Sequence, residues 1–255
     1  MKMFNKNDFT LAEGATHVGN SKNKSKFAFT LAEVLVTLGI IGVVAVLTVP
    51  NVISSYQKKV YVAQLQKAYN QISNAVALLM VDEEVDNLND SSLYCDRDQM
   101  GDEACFERGG NFLKKYFKVL ADCGHDNYSK CFKDEKPVYK RNGSLENGEA
   151  FPSGFWGYCV ALNSGTIFCA NCFNSWPFTV FVDVNGKKGP NTWGRDAFYF
   201  DVNYKGEIAE SFHYYPNHMN PDLNPLNDPN RCLENNSYNF GCFTKIINDG
   251  WKMDY

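Results

Sequence analysis

Histidine is scarce in this 255-residue chain: His17, His125, His213 and His218 are all there are. None lies in an H-E-x-x-H motif, and neither a G-x-S-x-G elbow nor a phosphate-cradling glycine loop occurs. The familiar signatures of metalloproteases, serine hydrolases and nucleotide-binding enzymes are therefore missing. Positive charge is also short, with 25 Lys and Arg against 29 Asp and Glu and a formal net charge of −4. The first 28 residues hold five Lys against Asp8 and Glu13, about +3, which leaves about −7 for the rest. An acidic body lacks the basic face that neutralises phosphates, which argues against general nucleic-acid binding. Two local gaps say more. Cysteine is absent before Cys95, and charge is absent from Val34 to Gln57.

The uncharged gap is 24 residues of mostly apolar sequence, enough to cross a ~30 Å hydrocarbon core as a helix. A secretory signal peptide would need a small-x-small cleavage site after it, and Val52-Ile53-Ser54 is a poor one. A plain anchor explains the length but not Glu33 at its lip. Lys22, Lys24 and Lys26 flank one end and Lys58, Lys59 and Lys67 the other, so lysine asymmetry does not orient the span.

The cysteines orient it better. Cys95, Cys105, Cys123, Cys131, Cys159, Cys169, Cys172, Cys232 and Cys242 all follow the span, which places the C-terminal side in an oxidising compartment. The short separations Cys95/Cys105, Cys123/Cys131 and Cys232/Cys242 suggest local staples, with connectivity open. Their number is odd, so at least one thiol is free or pairs with another chain. Cys169-Ala-Asn-Cys172 has the spacing of half a zinc site or of a redox motif. No second CxxC and no βαβ pattern accompany it, so structural disulfides are favoured.

Ala28-Phe29-Thr30-Leu31-Ala32-Glu33-Val34, followed by an apolar helix, resembles the processing site of type IV pilins and of type II secretion pseudopilins. The resemblance implies cleavage by a prepilin peptidase between Ala28 and Phe29, N-methylation of Phe29, and an assembly role for Glu33. Gly42 and Pro50 fit the same pattern, Pro50 being a helix-bending residue. Two departures are Ala28 where glycine is usual and a 28-residue leader, long for the family. Phe9-Thr10-Leu11-Ala12-Glu13 echoes the motif, but GATHVGNSKNKSK after it cannot span a membrane. A lone carboxylate in hydrocarbon is costly and marks a pairing site. Glu33 of one subunit is expected to neutralise the terminal amine of its neighbour; the simpler alternative is a snorkelling lip residue.

Past the span, Tyr61, Leu65, Ala68, Ile72, Ala75 and Leu79 recur at steps of three and four, with Tyr69 and Val76 on the same face. One helix is expected from Phe29 to about Met80, in lipid to about residue 54 and amphipathic beyond. Asp82 to Asp90 reads as a solvated acidic end, and Gly109-Gly110 as the lead-in to a short helix over 111–117. From residue 156 the pattern turns to β. Tyr158–Leu162 and Thr166–Cys169 form a hairpin around Asn163-Ser164-Gly165, followed by strands at Phe178–Val184, Asp196–Val202 and Glu207–Phe212. Residues 216–230 form a Pro/Asn loop, and Cys232 and Cys242 tie down the chain end. The expected fold is α+β, an antiparallel sheet packed on a long helix as in pilins. The parts are a leader (1–28), the helix (29–80) and a cysteine-rich extracytoplasmic domain (81–255).

The connection 183–196 offers Asp183, Asn185, Asn191 and Asp196 as hard oxygen ligands of the kind calcium prefers. The EF-hand register fails. A plain turn at Asn185-Gly186, with Asn191 as a cap, is the favoured alternative, and calcium enters by analogy with major pseudopilins. The resemblance thus implies a non-enzymatic filament subunit in the bacterial cytoplasmic membrane, and the cysteine distribution places its N-terminus inside. Its expected partners are a prepilin peptidase, identical or related pilin subunits, an inner-membrane assembly platform and membrane lipid. The competing expectation is a membrane-tethered cysteine-rich hydrolase or binding protein that forms no filament.

Overall fold

A computed structural model describes residues 29–126, 128–132, 137–139, 145–150, 157–172, 178–189, 191–210, 232 and 241–255. By internal contacts the chain divides into two compact units, Met1–Val49 and Pro50–Tyr255. The first unit contributes the opening of helix α1 (Leu31–Asp82). Leu35, Leu38, Ile41, Val46 and the other large apolar side chains of that stretch are exposed. Two threonines sit among them without cost. Thr37 Oγ1 donates to the Val34 carbonyl (3.0 Å) and Thr48 Oγ1 to that of Val44 (2.8 Å), so each hydroxyl is satisfied within the helix. Among the described residues α1 is the one helix long and apolar enough to cross a membrane.

In the second unit α1 changes character. Val62, Leu65, Ala68, Ile72, Ala75, Val76 and Leu79 are buried, the face that the three-and-four spacing predicts. The helix stops in a Schellman motif: the amide of Val85 bonds the Met80 carbonyl (3.0 Å), and that of Glu84 bonds Val81 (3.3 Å). Glu84 takes the left-handed position at φ 53°. The acidic end is not simply solvated, contrary to expectation. Asp82 accepts from Tyr116 Oη (2.8 Å), Glu83 accepts from the Ser92 amide (2.7 Å), and Leu88 is fully buried.

The short helix α2 (Arg97–Met100) leads into α3 (Asp102–Tyr116). Gly109 and Gly110 lie inside α3, not ahead of it, and close packing is the reason. A Cβ on Gly110 would sit 2.5 Å from Cγ of Tyr158, and one on Gly109 3.0 Å from Ala170. Strands β1 (Val119–Gly124), β2 (Pro137–Tyr139) and β3 (Leu145–Ala150) follow, in sequence that shows no clear β pattern. Then come β4 (Tyr158–Leu162), β5 (Ile167–Asn171), β6 (Phe178–Asp183), β7 (Asn191–Thr192), β8 (Ala197–Val202) and β9 (Ile208–Glu210). Helix α4 (Cys242–Asn248) closes the order. The main sheet is antiparallel in the order β1-β4-β5-β6-β8-β9; the smaller sheet runs β3-β2-β7. The fold is α+β with a long apolar helix near the N-terminus, an antiparallel sheet and disulfides.

Strand alternation assigns the two faces. Val160, Phe168, Ala170, Val180, Val182, Phe198 and Phe200 share one core with α1, Phe112 and Leu113 of α3, and Phe243 and Ile246 of α4. Cys159, Cys169, Ile167 and Phe181 point the other way, into a second cluster with Cys123, Cys131, Phe132 and Trp193.

Candidate functional site

The first candidate is the start of α1. Ala28 lies outside the described residues, as does the echo at 9–13; Phe29 is exposed. The Thr30 carbonyl accepts the first helical bond, from the Val34 amide (3.2 Å), which makes Thr30 the N-cap. Its hydroxyl accepts from the Glu33 amide (3.2 Å), while Glu33 Oε2 accepts from the Thr30 amide (2.8 Å) and hydroxyl (2.9 Å). This is a capping box, Thr-x-x-Glu, and it gives Glu33 a task within its own chain. The signal was present in Thr30-Leu31-Ala32-Glu33, but the resemblance drew attention to the carboxylate alone. Pro50 lies inside α1, where it cannot donate to the Val46 carbonyl.

The second candidate is the connection after β6. Asp183 and Asp196 are fully buried. Asp183 Oδ1 accepts from the amides of Asn185 (3.0 Å) and Gly186 (2.9 Å), a tight Asx turn with Gly186 at φ 64°. Only glycine fits there, since a Cβ would lie 2.0 Å from the Gly165 carbonyl oxygen. Asn185 Nδ2 donates to Asp196 Oδ2 (2.8 Å), and Arg195 pairs with the same oxygen (2.6 Å). Asp183, Asn185 and Asp196 therefore meet. Asn191 does not cap a segment as expected: it opens β7, paired with Val138.

Two buried oxygens in this group, Asp183 Oδ2 and Asn185 Oδ1, have no hydrogen-bond donor. Burial and the neighbouring charge of Asp196 push the Asp183 carboxyl well above the usual range. Burial raises Asp196 too, opposed by the Arg195 guanidinium. Among the described residues no group of three or more His, Cys, Asp or Glu side chains is arranged to hold a metal. A cation here would rely on amide and carbonyl oxygens beside two carboxylates.

The cysteines resolve into four bridges. Cys95–Cys105, Cys123–Cys131 and Cys232–Cys242 are the three local staples expected. The fourth, Cys159–Cys169, joins residues directly opposite across β4 and β5. Its signal was the equal spacing about the Asn163-Ser164-Gly165 turn. Cys172 is free and buried, its thiol pushed up to about 12 by burial, so it is a packing residue and no nucleophile. Strand geometry explains why the CxxC does not close: residues three apart point to opposite faces, Cys169 to one core and Cys172 to the other.

One further polar group went unread in the sequence. Tyr158 Oη donates to Asp122 Oδ2 (2.9 Å) and accepts from Lys114 Nζ (3.1 Å). The tyrosine is raised chiefly by burial and the lysine by its bond to the tyrosine. The network clamps α3 to β4 and β1. His125, stacked on the Tyr158 ring at 6.3 Å, belongs to the same neighbourhood; His213 and His218 lie outside the described residues.

Compared with protein-family models, with curated proteins and with solved structures, the chain matches none.

Proposed function

We propose that this chain is a type IV pilin-like or pseudopilin subunit that is cut before Phe29, methylated there, and assembled into a filament. The observation that carries the reading is the division of α1. A single 52-residue helix begins in a Thr30–Glu33 capping box directly after Ala28-Phe29, continues with exposed apolar side chains, and then supplies the buried spine of an α+β unit. A soluble protein would bury the first part, whereas a subunit that waits in a membrane and packs on its neighbours leaves it bare. The four disulfides support folding outside the cytoplasm, with the N-terminus inside. The protein acts by assembly and is not an enzyme. Its partners are a prepilin peptidase, related subunits, an assembly platform and lipid.

Calcium is the one cofactor that suits the residues, because the unpartnered oxygens of Asp183 and Asn185 supply the hard donors it prefers. Asp183, Asn185 and Asp196 would hold it, and its charge would compensate the two buried carboxylates.

The capping box sharpens the decisive experiment. Glu33→Gln keeps a side-chain oxygen for the cap but removes the charge, whereas Glu33→Ala removes both. Coexpression with a prepilin peptidase and an assembly system should give, for wild type and both variants, mature chains that begin at methylated Phe29. Filament incorporation should fall sharply for both variants, because the entering amine is left unpaired. Intact Met1 by mass spectrometry would sink the processing claim. Normal incorporation of Glu33→Gln would leave Glu33 a capping residue only.

A further inference from the structure

Residues 250–255 fold back onto α1. Trp251 packs edge-on against Tyr69 (5.7 Å), Met253 is buried, and Lys58 Nζ donates to the Tyr255 carbonyl oxygen. Beside this strap lies a cavity of about 370 Å³ lined by Ser55, Lys58, Lys59, Lys252 and Asp254, among others. Lys59 and Lys252 are exposed, and three lysines face one aspartate.

The position of this cavity along the helix identifies its occupant. About 20 residues of helix cross a ~30 Å hydrocarbon core, so a span that opens at Val34 ends near Ile53. Val52, Ile53 and Tyr56 are exposed, and no charge occurs between Glu33 and Lys58. Headgroups extend a further ~5–7 Å on each side. At 1.5 Å per residue, Lys58 and Lys59 lie about 7–9 Å past Ile53, at the outer edge of the headgroups, from where their long side chains reach back to the phosphates. The strap brings Lys252 and Asp254 into the lining of the same cavity from the far end of the chain. Tyr56, exposed one turn before Lys59, then serves as an interfacial aromatic.

We infer that this cavity seats the phosphate of an anionic phospholipid, so that the C-terminal strap is a membrane-surface contact of the globular unit. The inference rests on the reading of α1 as a membrane span. Each lysine near an anionic surface is worth about fivefold in affinity. With Asp254 opposing, the net preference for anionic over zwitterionic lipid is roughly thirtyfold.

The test uses the full chain in nanodiscs of phosphatidylcholine, with or without phosphatidylglycerol, and measures amine labelling of individual lysines by mass spectrometry. Lys252 and Lys59 should label several-fold more slowly in the anionic discs. Lys205 should label equally in both, because its turn packs near Met80, about 33 Å further along α1 than Lys58. Lys252→Glu should lower the protection of Lys59. Equal labelling of Lys252 and Lys59 in the two discs would overturn the lipid seat and leave the span standing. Protection by glycerol phosphate in phosphatidylcholine discs would overturn the lipid in favour of a free phosphate ester. A chain that does not enter discs at all would overturn the span, and the inference with it.

Discussion

Gly110→Ala is an ordinary helix-stabilising change everywhere except at a close approach, and there its sign reverses. In an exposed helix it would gain up to about 1 kcal/mol. In α3 the new methyl lies 2.5, 2.6 and 2.8 Å from three atoms of the Tyr158 ring, where about 3.5–4.0 Å is the comfortable separation. Something must recoil by about 1 Å. The ring cannot do so freely, being 5 % exposed and bonded at its hydroxyl to Asp122 and Lys114. Overpacking of this kind costs about 1–3 kcal/mol, and loss of one hydrogen bond adds about 1. Set against the helix gain, the net loss is about 2 kcal/mol, or roughly 4–8 °C in Tm for a unit of this size. Thermal unfolding of the full chain in one detergent, followed by circular dichroism, reads this directly. A Gly110→Ala variant as stable as the parent, or more so, would refute the packing of α3 on β4.

Non-reducing mass mapping should find the four bridges and Cys172 as the free thiol; a Cys169–Cys172 bridge would overturn the strand-face argument. Removing Cys159 and Cys169 together should cost about 2.7 kcal/mol, from the entropy of closing an eleven-residue loop, and lower Tm by about 5–10 °C. The Asp183 carboxyl is raised, so its favourable contribution is complete below the unfolded value of about 3.9 and is lost as pH rises through the folded value. Without calcium, Asp183→Asn should therefore match wild type at acid pH and exceed it at pH 8. Added calcium should raise the Tm of wild type but not of Asp183→Asn. A variant less stable than wild type at pH 8 in chelator would show the carboxylate ionised and paired, and no calcium response in wild type would dismiss the ion.

Period and composition sufficed wherever a segment makes its structure locally. The apolar run, the three-and-four stripe from Leu65 to Leu79, the β4–β5 hairpin and strands β6 and β8 were all legible. In each, side-chain alternation matches one repeat, and burial follows from it. The three short-range disulfides were legible for the same reason: their cysteines are neighbours in the chain. The sequence was silent where distant segments decide. Strand β1 has exposed and half-buried positions with register breaks, and it becomes a strand because β4 offers an edge. Gly109 and Gly110 look like a break and are a contact surface, since only the sheet below α3 makes a bare backbone favourable. Asp183 and Asp196 read as strand-end residues and candidate cation ligands around a plain turn, and nothing local in the sequence showed that the fold buries both and brings their carboxyls together. The return of Trp251 and Lys252 to Lys58 depends on where α4 lands on the core, and no local pattern in those last residues encodes it.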